Sequence, residues 1–337
     1  MKAAIFAYSK RGCETALKVK NSLSMPSVGL FTIEKFIRTG FELIEKGSFF
    51  EDCFNDNDAL IFISSAGIAV RHIAPFVKDK TTDPAVLCID EKGTYVIPLL
   101  SGHIGGANDL ARELSESIGA EAVITTATDI NHRFSVDSWA ARNGLIIDSM
   151  KYAKAVSAAI LERDIPLCSD FYITGGLPQG IYKREKGELG ILISYEKREP
   201  FEQTLRLIPK VLHIGIGCRK GISKEAVKAA AEQVLEEHNI DIRAIKNASS
   251  MDIKASESGL LEYIKEQGWP MTFYSAEELM KVQGDFSSSE FVKSITGVDN
   301  VCERSALMNA DRLIVKKTAL NGVTIALAAE DMEVRFG

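Results

Sequence analysis

The segment Gly102-His103-Ile104-Gly105-Gly106 places an imidazole in a turn with three glycines in five residues, just before a helical pattern from about Ala107 to Ile118. Glycine admits positive φ and close backbone approach, and the N–H groups of a helix start favour an anion or oxyanion. Histidine is the side chain whose ordinary pKa lies nearest neutrality. His103 therefore reads as a general base for water, with the loop as donor set for a tetrahedral oxyanion, and these parts suit acyl hydrolysis. Asp109, Asp129 and Asp83 are the carboxylates that could orient the imidazole. A histidine in such a turn can equally serve only to bond a carbonyl, and His72, within a helical pattern, reads as a helix-face residue. Ser65 and Ser101 are candidate nucleophiles, but neither stands in a G-x-S-x-G elbow, so direct attack by water is preferred. The five histidines have no paired spacing with one another or with cysteine, and no protein metal site is expected.

Two strand-loop-helix junctions must position these groups. The first runs from Ala59-Leu60-Ile61-Phe62-Ile63, apolar and β-branched enough for a buried parallel strand, through Ser64 to Gly67 into a helical pattern. The second runs from Tyr95 to Leu100 through Ser101 to Gly106. In one parallel sheet both loops would face the same edge, outside the carboxyl ends of the strands, where open α/β sheets bind ligands. Val123 to Asp129 reads as a third strand, finishing there in hydroxyls and a carboxylate. Lys78 to Pro84 is a polar loop, locally basic with Arg71, and is either a solvated turn or a carboxylate-binding rim.

Elsewhere the pattern is plainer. Ala3 to Tyr8 opens the chain as a βα unit whose Gly12 loop lacks both the Walker pattern and the dinucleotide glycines. From Asn131 to Leu207 no catalytic constellation is visible, His132 reads as a surface residue, and Glu199-Pro200 onward reads as a linker. Val211 to Ile216 starts another βα unit, with Arg219 and Lys220 at the mouth of its sheet and Ser223 as helix cap. Gly215, Gly217 and Gly221 miss the dinucleotide spacing. Glu257 and Glu303 stand in first helical turns, where acidic residues are favoured in any protein.

A chain of 337 residues implies two or three domains, and 46% hydrophobic content supplies their cores. The reading is α/β throughout: an N-terminal three-layer parallel-sheet domain over 1–130, a small α/β segment over 131–207 and a C-terminal α/β domain over 208–337. Charge is −6 from 40 basic and 46 acidic residues, well mixed, which argues against nucleic acid or a membrane surface as partner. An anionic ligand would need a local basic cluster. Six scattered cysteines without a CxxC pair read as reduced thiols, the start of the chain turns polar too soon for a signal peptide, and no apolar run nears the roughly 20 residues of a membrane span. A cytoplasmic protein is expected.

The phrases SSAGIAVRHIAPFVKDKTTDPAV, LLSGHIGGANDLA and ITTATD, in this order and spacing, resemble the CbiG family of cobalt-precorrin-5A hydrolases in cobalamin biosynthesis. GIGCRKGIS, SMDIKASESGLLEY and TGVDNVCERSAL look like that family's C-terminal domain, which also occurs alone as CobE. The resemblance spans roughly 55–130 and 210–328 and is weaker between. It implies hydrolysis of a δ-lactone on a cobalt tetrapyrrole, in the anaerobic branch of the pathway, with loss of the meso carbon and its methyl as acetaldehyde. The cobalt would come with the substrate and no cofactor is implied; contact with other enzymes of the pathway is, while the oligomeric state stays open. The catalytic set expected from the residues themselves is His103, Asp109 and Asp129. The implied substrate contacts are Ser65, Gly67, Arg71, Lys80, Asp83, Ser101, Gly102, Gly105, Gly106, Asn108 and Thr126, with Cys218, Arg219, Lys220, Lys254 and Glu303 from the last domain. A cleft between the first and last domains is expected to hold the wide, many-carboxylated substrate. A corrinoid carrier without chemistry is the alternative.

Overall fold

The computed structural model describes residues 1–79, 82–287 and 297–336. The chain divides into two compact units, Met1–Trp139 and Ala140–Gly337.

In the first unit, strands β1 (Lys2–Ala7), β2 (Ser27–Thr32), β3 (Glu42–Leu43), β4 (Ala59–Ile63), β5 (Ala85–Ile89), β6 (Tyr95–Leu100) and β7 (Glu121–Ala122) form one sheet. Its order is β3-β2-β1-β4-β5-β6-β7. Strand alternation sorts the core onto two faces. Ala3, Ile5 and Ala7 of β1 and Ile61 and Ile63 of β4 pack with α1 (Lys10–Ser22) and α4 (Ala107–Ile118). Ala4, Phe6, Leu60 and Phe62 pack with α2 (Phe49–Asp56) and α3 (Ala66–Ile73). The three-layer architecture expected from the sequence is present.

One reversal changes what the sheet presents. β6 runs antiparallel to β5, with Ile89 opposite Val96, and β7 runs parallel to β6. The cause is the short connection Asp90 to Thr94, whose Asp90 carboxylate accepts the N–H groups of Lys92, Thr94 and Tyr95. A turn this short joins antiparallel neighbours, whereas a parallel crossover needs about a dozen residues or more. The loops after β4 and after β6 therefore leave the sheet at opposite edges, and the single shared edge expected from the sequence is not formed. The third strand expected over Val123 to Asp129 also fails: the ladder ends where the Val123 N–H meets Val96, and Ala127–Ile130 is a helical turn started at Thr126. Thr126 donates its hydroxyl to Asp129 three residues on, at 2.7 Å, a local bond that competes with strand pairing.

The second unit carries two five-stranded sheets and a two-stranded one. The first five-stranded sheet takes β8 (Ile146–Ile147), β9 (Ile165–Ser169), β11 (Ile181–Lys183), β12 (Gly187–Ile193) and β13 (Phe201–Ile208) in the order β11-β9-β12-β13-β8. β13 occupies the stretch read as a linker. Its Glu202 and Gln203 are exposed, but Phe201, Leu205, Leu207 and Ile208 are buried. The other five-stranded sheet takes β14 (Leu212–Cys218), β15 (Ile245–Met251), β16 (Met271–Tyr274), β17 (Arg312–Leu320) and β18 (Val323–Ala329) in the order β16-β15-β14-β18-β17. Strand β10 (Tyr172–Thr174) pairs with β19 (Glu333–Arg335), tying the end of the chain to the region of the first of these sheets. Among the described residues no helix is long and apolar enough to cross a membrane.

Candidate functional site

The loop after β6 lays His103 among hydroxyls. Ser138 Oγ lies 2.8 Å and Ser135 Oγ 3.0 Å from its Nδ1, and Thr128 Oγ1 lies 3.2 Å from its Nε2. A hydroxyl can donate or accept, so this ring of three fits either neutral tautomer and holds the imidazole without rotating it. Asp129 Oδ2 is 4.0 Å from Nδ1. That carboxylate takes hydrogen bonds from Thr126, from Asn108 Nδ2 at 2.9 Å and from Arg112, which also donates to Asp109 at 2.8 Å. Burial pushes the Asp129 pKa up, but the bonds from Thr126 and Arg112 and the Arg112 charge outweigh it and hold the carboxyl below its ordinary range. It is an anion at neutral pH.

The loop's glycines are required by close packing. A Cβ on Gly102 would stand 2.7 Å from Asn108 Oδ1, and one on Gly105 would stand 2.4 Å from Ser101 Cβ. Ser101 itself is left-handed at φ 56°, and its buried hydroxyl has no partner among the described residues. The expectation that the start of α4 supplies oxyanion donors needs correction. The N–H groups of Ala107 and Asn108 turn back onto the Ser101 and Gly102 carbonyls at 3.1 and 3.0 Å. Among the described residues the N–H groups of Gly102, His103, Ile104 and Gly105 have no hydrogen-bond partner.

Ser135 and Ser138 were not read from the sequence, which showed no constellation beyond Asn131. The only local signal is S-V-D-S at a helix start, with Ser135 bonded to Asp137 at 2.9 Å. His132 is exposed, as expected of a surface residue.

The second unit has a pocket of ≈ 550 Å³ at the carboxyl ends of β14 and β15, beside the β17–β18 turn. Cys218, Arg219, Lys220 and Lys254 line it, as does Lys317, which the sequence reading missed. Lys254 pairs with Glu257 at 3.2 Å, and Glu257 also accepts the Gly221 N–H at 2.8 Å, which together hold its carboxyl below the ordinary range. Burial pushes the Cys218 thiol up against the pull of Lys254, so it stays neutral. Glu303 is wholly buried beneath the pocket, where it accepts from the Ser287 N–H and hydroxyl, from Asn300 Nδ2 and from the Lys317 N–H. It holds the pocket's walls.

Comparison with known proteins covers both regions. A family model described as Cobalamin synthesis G N-terminal matches residues 48–129, and one described as Cobalamin synthesis G C-terminus matches 212–328. The chain is 34% identical over 297 residues to a cobalt-precorrin-5A hydrolase of Priestia megaterium, covering 82% of this chain and 79% of that protein. It is 33% identical over 345 residues to a cobalt-precorrin-5A hydrolase of Salmonella typhimurium, covering 96% of each. The chain belongs to the cobalamin synthesis G family. Its C-terminal part is CobE-like: over 121 residues, 35% of the chain, it is 32% identical to the protein CobE of a Sinorhizobium species, of which that covers 79%.

Within this family frame the expected contacts separate into three places. His103, Asn108, Thr126 and Asp129 meet in one hydrogen-bonded cluster, and Asp109 joins it through Arg112. Asp83 is at the same edge of the sheet, beside Gly105, but its carboxylate accepts the Lys78 N–H at 2.9 Å. Ser65, Gly67 and Arg71 stand at the opposite edge, on the loop after β4 and on α3, away from the histidine. Lys80 lies outside the described residues. His72 stacks on Phe50 at 3.9 Å, and its burial pushes its pKa down, as suits a packed helix-face residue. Among the described residues no group of three or more His, Cys, Asp and Glu side chains could hold a metal ion.

Proposed function

We propose that the chain is a cobalt-precorrin-5A hydrolase of the anaerobic cobalamin pathway, opening the δ-lactone and releasing the meso carbon with its methyl as acetaldehyde to give cobalt-precorrin-5B. The observation that carries this reading is His103 held by hydroxyls at both ring nitrogens beside an ionised Asp129. Nδ1 has two hydroxyls and the carboxylate on its side, whereas Nε2 has the single longer contact to Thr128. Nε2 is therefore the nitrogen that takes a proton from water as its oxygen attacks the lactone carbonyl.

The imidazolium so formed is stabilised by Asp129, and the N–H groups of His103, Ile104 and Gly105 face the developing oxyanion. Collapse of the tetrahedral intermediate breaks the ring C–O bond; the alkoxide takes the proton back from His103, leaving a free acetate and an alcohol on the meso carbon. His103, neutral again, takes that hydroxyl proton, which drives cleavage of the bond between the meso carbon and the macrocycle. Its electron pair passes into the ring, and the meso carbon leaves as the aldehyde. The cobalt arrives as part of the substrate.

Purified protein incubated with cobalt-precorrin-5A should release acetaldehyde, with the matching loss of mass from the tetrapyrrole. Binding without either change would make the chain a carrier. His103→Ala should lower kcat by about 10² or more with a melting temperature near the parent's. Turnover equal to the parent's between pH 6 and 8 would remove His103 from catalysis.

A further inference from the structure

The pocket of the second unit is cationic in an acidic protein. Arg219, Lys220, Lys254 and Lys317 line it and, among the described residues, no aspartate or glutamate does, while the whole sequence carries −6. Among the described residues no carboxylate forms an ion pair with Arg219, Lys220 or Lys317.

Three separate devices aim these cations. The β17–β18 hairpin turns on Asn321 and Gly322, both left-handed at φ 49° and 85°, the pairing a two-residue turn requires. A Cβ on Gly322 would stand 2.8 Å from Arg219 Cδ, so the arginine stem lies in the space a side chain would fill, and its N–H is fastened to the Gly322 carbonyl at 2.9 Å. On β17 the ladder breaks register between Val315 and Thr318, and the Lys317 N–H goes to buried Glu303 at 2.6 Å instead. Such irregularities re-aim side chains. Lys254 is held through Glu257, which also ties down the loop at Gly221. Between the cations the wall is apolar, with Met251, Ile253 and Leu320. Its volume falls in the range of about 300–1,000 Å³ typical of ligand clefts.

A flat apolar body bearing several carboxylates matches a wall of this kind. We propose that the pocket is the substrate's anchor: Arg219, Lys220, Lys254 and Lys317 grip acid side chains along one edge of the tetrapyrrole while that edge of the macrocycle lies against Met251, Ile253 and Leu320. This rests on the hydrolase reading for the ligand's identity, and its test reads binding, which does not depend on turnover.

Uroporphyrin, a metal-free octacarboxylate tetrapyrrole, serves as probe by fluorescence titration of the full-length protein at low and moderate salt. Arg219→Gln combined with Lys317→Gln should weaken binding at least tenfold and flatten its salt dependence. Lys10→Gln combined with Lys18→Gln on α1, an equal change of net charge, should stay within twofold. Lys220→Gln alone, which removes only an exposed side chain, should give a several-fold loss and replaces the double variant if that one melts early. Equal loss in both double variants, no loss in the pocket variants, or displacement of the probe by inorganic phosphate or ATP at lower concentration than by a tricarboxylate would overturn the anchor. Pocket-dependent binding by a protein that never releases acetaldehyde would leave the anchor standing and sink the hydrolase reading.

Discussion

Ser135 and Ser138 both place a hydroxyl on one nitrogen of His103. Either hydroxyl can satisfy Nδ1 of His103, at 3.0 and 2.8 Å, and the two are themselves 3.0 Å apart. Groups that share one partner do not contribute additively. Ser135→Ala and Ser138→Ala should each lower kcat by only a few-fold, and the double variant by about 10² with KM little changed. Additive single effects in that cycle would mean that the serines act separately from the imidazole. The imidazole and Asp129 were legible because only a few side chains can move protons or orient a base near neutral pH. The serines were not, since they reach His103 across 32 and 35 residues of chain and nothing in a hydroxyl's identity marks it for that.

At the scale of elements, alternation made β1 and β4 readable, since their odd and even positions fall into two different cores. The β6 reversal was written in Asp90-Glu91-Lys92-Gly93-Thr94, too short for a crossover, yet the matching strand-loop-helix patterns on either side pointed to a parallel repeat. Period alone carries no direction. β13 was hidden by Glu202-Gln203, although an edge-to-centre strand tolerates two exposed polar residues once four of its apolar side chains are buried. The loop after β6 depends on one missing atom. Gly105→Ala would force a Cβ to 2.4 Å from Ser101 Cβ and 2.9 Å from its carbonyl oxygen, neither of which is a flexible chain end. Overpacking of this kind costs about 1–3 kcal/mol. The variant should melt lower and also lose turnover, because the same shift displaces His103. An unchanged urea midpoint would show that the loop has room the structure does not give it.

Within Ala140–Gly337 the two larger sheets are joined by charge as well as by chain. Arg206 on β13 donates to Asp148 at 3.1 Å and to Asp241 at 3.1 Å, and Asp241 also takes Arg243 at 2.7 Å. Neither spacing nor period announces this link, because its members lie 58 and 35 residues from Arg206 and meet only when both sheets are built. Burial pushes the Asp241 carboxyl up, but the Arg243 hydrogen bonds and the two guanidinium charges bring it from 3.8 down to about 2. A pKa depressed on folding adds stability that is fully present above the unfolded value and disappears as pH falls through the folded one. The window is therefore about pH 4 to pH 2, and at 1.36 kcal/mol per unit the contribution at neutral pH is about 2 kcal/mol. Asp241→Asn should unfold about that much more readily at pH 7, leaving Arg206 with one carboxylate and Arg243 with none of its own. Urea melts of parent and variant at pH 7, 4 and 2.5 should show the gap intact at pH 4 and shrinking at pH 2.5. A gap that stays constant to pH 2.5 would mean that the Asp241 carboxylate contributes by shape and hydrogen bonding rather than by its charge.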